Sequence, residues 1–138
     1  MTPFRLGCLS AAITFMLAIS VPSAHHSHAM FDGSKTTELS GTISAVRFAN
    51  PHVYVQLRVT QRDGAPVSPP QIWAIEMSTI QNMTQRGLTP NSMPFGATMT
   101  VRVNPLFSGQ PSGNYTNIVE LNGARNTVAD DDWKPAAR

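Results

Sequence analysis

Residues 53–59 read VYVQLRV, and this stretch carries the clearest secondary-structure signal in the chain. Four apolar side chains alternate with tyrosine, glutamine and arginine, which is the period of two expected for a strand with one buried face. The apolar positions are Val53, Val55, Leu57 and Val59. The pattern predicts a β-strand, and the rest of the fold can be built outward from it.

Four other segments also predict strands. Residues 39–48 alternate between apolar and polar side chains, with a phase flip between Ala45 and Val46 that indicates a bulge or bend. Residues 72–77 place Trp73, Ile75 and Met77 on one face. The remaining strands are predicted over residues 99–103 and 115–121. Between the second and third strands, the proline-rich segment 61–70 (QRDGAPVSPP) predicts a loop.

One short helix is predicted over residues 79–86. Ser78 with Gln81 forms a capping-box pattern, and Gly87 stands where a helix commonly ends. Three strands, a helix and two strands, with a bent first strand, follow the order of an OB-fold. The sequence therefore predicts a mainly β protein, a small five-stranded OB-fold-like barrel with one short helix between strands 3 and 4. An immunoglobulin-type sandwich is the rival, but it needs seven strands.

The N-terminal segment predicts export. Residues 1–5 carry one positive charge, and residues 6–21 (LGCLSAAITFMLAISV) carry none and are followed by small residues. This is the pattern of a cleavable signal peptide, here residues 1–24, and it is shorter than the roughly 20 residues of a membrane span. We expect a protein of the periplasm or the cell exterior. Cleavage after Ser23 or after Ala29 remains an alternative.

The mature chain is expected to form one domain over residues 25–128, followed by a flexible acidic tail over 129–138. Its only cysteine, Cys8, lies in the leader, which excludes disulfides and thiolate metal sites in the mature protein. The chain has 10 Lys and Arg against 8 Asp and Glu without a basic run, so nucleic acid is not an expected partner. No phosphate-binding loop, dinucleotide fingerprint or catalytic motif is present. These features favour a binding protein over an enzyme.

Three of the four histidines lie in residues 23–32, SAHHSHAMFD, directly after the predicted leader. If His25 is the first mature residue, its amine and ring can chelate one ion. If Ala24 is first, His26 becomes the third residue of a square-planar chelate. Both arrangements suit Cu(II), the second also Ni(II). The alternative is that His25, His26 and His28 are simply solvated beside a cleavage site.

The fourth histidine, His52, follows Asn50-Pro51, and strand parity places it with Tyr54 and Gln56 on the face opposite the core. In a hairpin of strands 2 and 3, Glu76 would lie opposite Tyr54 or Gln56. A second interpretation has Asn50 capping a turn and His52 bonded to a nearby carbonyl. The candidate metal ligands are His25, His26, His28, His52 and Glu76.

Methionines are weighed separately, because thioethers are soft ligands. Met30 is the one ligand candidate among them. Met77, Met83 and Met99 fall on predicted core faces, where filling gaps is an ordinary role.

Several short motifs together resemble a widespread family of small exported bacterial proteins of unknown function. They are HHSHAMFD, Leu39-x-Gly-Thr-Ile43, Asn50-Pro51-His52, Trp73-x-x-Glu76, Arg86-Gly-Leu, and Gly96 before a valine-rich strand. The resemblance spans nearly the whole mature chain and implies export, but no reaction. It implies that the signature positions are His25, His26, Ser27, Asn50, Pro51, His52, Tyr54, Trp73 and Glu76. The aromatic residue usual after HHS is here His28.

Two hypotheses follow from the sequence. In the first, the protein binds a metal ion, copper first, through the N-terminal histidines with His52 and Glu76 nearby. In the second, it is an interaction module that binds a periplasmic protein, a peptide or a small ligand on its outer strand face. The first predicts that the N-terminal segment lies within ~10 Å of His52. The second predicts that it lies far away.

Overall fold

The computed structural model describes residues 28–127 and 133–134. Within them the chain is mainly β, as predicted, with one α-helix. The elements in chain order are a 3₁₀ turn at His28–Met30, β1 (Thr37–Arg47), β2 (Tyr54–Arg62), β3 (Ala65–Glu76), α1 (Ile80–Gln85), β4 (Thr98–Pro105), β5 (Ser112–Leu121) and β6 (Ala124–Arg125). None of the helices in these residues is long and apolar enough to cross a membrane.

Six strands form one sheet, in the order β3-β2-β1-β4-β5-β6, with antiparallel neighbours. A further parallel pairing joins β3 to β5, with Ala74, Ile75 and Glu76 opposite residues 112–114. The predicted count of five strands is therefore wrong by one. The extra strand, β6, follows β5 after a turn at Asn122 and Gly123. It has two residues, and a strand of this length is too short to produce a periodic pattern.

The predicted loop over residues 61–70 is wrong, because most of it belongs to a tight hairpin. Strands β2 and β3 are joined by Asp63 and Gly64, both with positive φ, as a two-residue hairpin turn requires. The first half of β3 contains three prolines and pairs with β2 alone. Proline is tolerated on such a free edge, since no second neighbour needs its missing N–H.

The buried face of the sheet matches the alternation seen in the sequence. All four apolar positions of 53–59 are fully buried, and Trp73, Ile75 and Met77 are buried as well. The predicted irregularity in β1 is also present: its register against β2 shifts between Ser40 and Gly41 and again between Ile43 and Ala45. The second shift lies close to the position where the pattern changes phase.

Helix α1 begins and ends within one residue of its predicted bounds. The N-cap is Thr79 rather than Ser78: the Thr79 side chain accepts a hydrogen bond from the backbone N–H of Asn82 at 3.2 Å. Ser78 instead accepts one from the Asn82 side chain. Gly87 follows the C-cap with φ of 75°, the left-handed conformation that glycine adopts most easily.

Both ends of the described chain are attached to the sheet. Phe31 is buried and bridges to Leu106, and the N–H of Asp32 donates to the carbonyl of Pro105 at 2.8 Å. Of the residues predicted to form a flexible tail, the structure describes Trp133 and Lys134. Trp133 is 7% exposed and packs with the core, so the chain is held at this point rather than loose.

Candidate functional site

A polar cluster lies where β2 begins and β3 ends. The antiparallel register places Glu76 directly opposite Tyr54, one of the two positions expected for it. Nδ1 of His52 lies 2.6 Å from Oε1 of Glu76, and the Tyr54 hydroxyl donates to Oε2 at 2.9 Å. One carboxylate therefore holds both side chains.

Glu76 is buried, with 4% of its surface exposed, although it belongs to the polar row expected on the outer face. A buried carboxylate is costly unless donors surround it. Oε1 has no hydrogen bond of regular geometry within the described residues, so the short contact with His52 is its available partner. The contact places Nδ1 of His52 against the carboxylate, so Nε2 is the ring nitrogen that Glu76 does not engage.

Tyr54 is the neutral donor of the cluster. Burial raises the pKa of its hydroxyl, and the hydrogen bond to the Glu76 carboxylate raises this pKa further. The hydroxyl therefore keeps its proton at neutral pH. It satisfies Oε2 and leaves Oε1 to His52.

His28 lies beside this cluster. Its ring centroid is 6.1 Å from that of His52, with the two rings at 63° to each other. Both rings line a pocket of about 200 Å³. The other lining residues are Met77, Ser78, Asn114 and Tyr115. The position of His28 depends on Phe31 and Asp32, which attach the segment to the sheet a few residues later.

The structure does not bring together all the residues proposed from sequence. His25, His26 and Ser27 lie outside the described residues. Asn50 and Pro51 are exposed and joined by a cis peptide bond just before His52. Trp73 lies in the core, with Arg62 over its ring at 5.7 Å. Within residues 28–127 and 133–134, no group of three His, Cys, Asp or Glu side chains is arranged to hold a metal ion.

The structure places Met77, and not Met30, at the pocket. Met30, the predicted ligand candidate, is 51% exposed and does not line the pocket. Met77 is buried as predicted, but the residue also lines the pocket. The alternation correctly placed Met77 facing inward, and it carried no signal that this end of β3 borders a pocket.

Sequence reasoning also missed the contribution of β5. Asn114 and Tyr115 reach the pocket because β5 pairs in parallel with the end of β3, opposite Glu76. The Tyr115 hydroxyl accepts a hydrogen bond from Nη1 of Arg86 at 3.2 Å. Arg86 belongs to the Arg-Gly-Leu motif, so this motif contacts a residue of the pocket wall.

Comparison with known proteins identifies the family. Residues 14–116 match the family described as "Family of unknown function (DUF6152)". The chain belongs to this family. Searches of the curated proteins and of the solved structures gave no significant match. Membership agrees with the resemblance to an uncharacterised family and assigns no activity.

Proposed function

We propose that this member of the family is an exported binding protein, not an enzyme, built on a small OB-fold-like barrel and binding a copper ion where its N-terminal segment meets His52. The observation that carries the proposal is the 6.1 Å separation of the His28 and His52 rings on one pocket.

The barrel is supported by the strand pairings. With β3 paired to β5, each of the first five strands pairs with two others of the five, and the pairing runs β1-β2-β3-β5-β4 and back to β1. A closed ring of five strands, with a helix between the third and fourth, is the arrangement of an OB-fold. The two-residue β6 is then an extension at the edge of β5.

The metal site is supported by the way its histidines are held. A histidine that binds a metal commonly donates its other ring N–H to a carboxylate, which fixes the orientation of the ring. Glu76 is in position for this role, because its Oε1 lies 2.6 Å from Nδ1 of His52. His28 and His52 supply two imidazoles at one pocket, and His25 and His26 precede His28 in the sequence. Together these residues offer several nitrogen ligands, which suit copper. Glu76 is thus proposed to orient a ligand rather than to bind the ion itself.

A non-metal interaction module is the second candidate. A depression on the outer face, lined by residues 45–47, 54–56 and 74, is the surface such a module would use. This hypothesis expects the N-terminal segment to lie far from His52, and the proximity of His28 favours the copper site instead.

The test is a Cu(II) titration, followed by electron paramagnetic resonance, of protein exported and processed by a bacterial host. Mass spectrometry reads the mature N-terminus of the same sample. We expect one tight, nitrogen-coordinated equivalent that is lost or altered in His28→Ala and in His52→Ala. The control is Gln56→Ala, an exposed residue of β2 outside the pocket.

Two results would overturn the proposal. One is copper uptake no tighter than that of a synthetic HHSHAM peptide, unaffected by His52→Ala. The other is a mature protein that begins at Met30 and so lacks His28. Either would favour the interaction module.

A further inference from the structure

A methionine, Met77, is among the residues that line the pocket beside His28 and His52. Met77 follows the last residue of β3, and its N–H donates to the carbonyl of Val53 at 2.8 Å, so its backbone is fixed next to His52. The residue is 2% exposed, and it lines the same pocket as the two histidines. Of the buried methionines in the described chain, it is the one that reaches this pocket.

The three side chains form a donor set of two imidazoles and one thioether. Thioether sulfur is a soft ligand that favours Cu(I), whereas imidazole binds several transition metals. Neither Zn(II) nor Ni(II) gains comparably from a thioether. A thioether supplied by Met77 would therefore favour Cu(I) over these divalent ions.

The charges around the pocket agree with a monovalent ion. All three donors are neutral, and the Glu76 carboxylate that contacts His52 supplies one compensating negative charge.

We infer that the pocket binds copper as Cu(I), with the Met77 thioether as third ligand beside His28 and His52. The inference rests on the proposed copper site and specifies its oxidation state. Cu(II), which prefers planar nitrogen ligands, would be held by the two imidazoles together with the mature N-terminus, without the thioether. Loss of Met77 should then weaken binding of Cu(I) and leave binding of Cu(II) nearly unchanged.

The test measures Cu(I) affinity without oxygen, by competition with the chromogenic chelator bathocuproine disulfonate, and Cu(II) affinity separately. The variant is Met77→Leu, which nearly conserves volume. The controls are Met83→Leu, fully buried but away from the pocket, and Met30→Leu, exposed near His28. We expect Met77→Leu to weaken Cu(I) binding at least about tenfold, with Cu(II) binding and both controls nearly unchanged.

X-ray absorption of the wild-type Cu(I) complex gives a result that does not depend on folding of the variant. We expect one sulfur scatterer, retained in Met30→Leu. A sulfur-free spectrum, or equal affinities for Cu(I) in the wild type and in Met77→Leu, would overturn this inference while leaving a histidine copper site in place. Failure of the wild type to bind copper in either state would instead overturn the proposed function.

Discussion

The close approach of β1 to β2 requires a glycine at position 41, in the middle of the Leu-x-Gly-Thr-Ile motif of β1. A Cβ at this position would overlap the carbonyl of Arg58 on β2, because the two backbones approach closely beside the register shift. The constraint comes from space and not from a special φ angle. Glycine is therefore required for the packing of β1 on β2.

We predict that Gly41→Ala lowers the free energy of unfolding by about 1–3 kcal/mol, the usual cost of overpacking. Urea denaturation followed by tryptophan fluorescence measures the change. The control is Gly33→Ala, where an added Cβ meets nothing within 4 Å. Equal stability of Gly41→Ala and the wild type would show that the two strands do not approach so closely.

Asp32 fixes the turn that carries the N-terminal segment onto the sheet. Its Oδ1 accepts hydrogen bonds from the hydroxyl and the N–H of Ser34, and its Oδ2 lies 3.0 Å from Nζ of Lys35. The hydrogen bond from the Ser34 side chain is the largest cause of a lowered Asp32 pKa, and Lys35 adds to it. The ionised carboxylate thus stabilises the folded state.

A group whose pKa is lower in the folded than in the unfolded state stabilises the protein above its unfolded value, about 3.9 for Asp. That contribution is lost as the pH falls through the folded pKa. We predict that Asp32→Asn lowers the Tm at pH 6, and that its Tm converges on that of the wild type as the pH approaches about 2. Differential scanning calorimetry across this range measures both.

Glu120→Gln, which removes a surface ion pair with Arg125, is the control and should change the Tm little at any pH. A difference between Asp32→Asn and wild type that is the same at every pH would contradict the role given to the charge of Asp32.

Among the elements, α1 depends on its cap because it has six residues and buries little besides Met83. We predict that Thr79→Ala lowers the free energy of unfolding by about 1 kcal/mol, since the N–H of Asn82 loses its acceptor. Urea denaturation measures this loss. Thr84→Ala, at an exposed helical position, is the matched control and should be neutral or slightly stabilising. A loss as large in Thr84→Ala would show that the cap is not the cause.

Elements with a periodic or capping pattern in their own sequence could be predicted. Elements whose form depends on which other strand they pair with could not. The alternation in β2 identified its buried face, and Gly87 marked the end of α1. The prolines of β3 suggested a loop because the sequence does not reveal that this half of the strand lacks a second neighbour. Strand β6 exists only through its pairing with β5.

At the scale of the whole molecule, the candidate site depends on the parallel pairing of β3 with β5. Parity and hairpin register were enough to place Glu76 near His52. The contribution of Asn114 and Tyr115 could not be predicted, because it requires the parallel pairing of β3 with β5 across distant parts of the chain. Likewise, the position of His28 depends on the bridge between Phe31 and Leu106. The pocket thus combines four separate segments of sequence.

The central claim is that His28 and His52 bind the same ion, and a double-mutant cycle in copper affinity tests it most directly. The four proteins are the mature wild type, His28→Ala, His52→Ala and the double variant. If both rings bind one ion, the loss of binding free energy in the double variant should differ from the sum of the single losses by about 1 kcal/mol or more. Losses that simply add, or single variants that both bind copper like the wild type, would contradict a shared site.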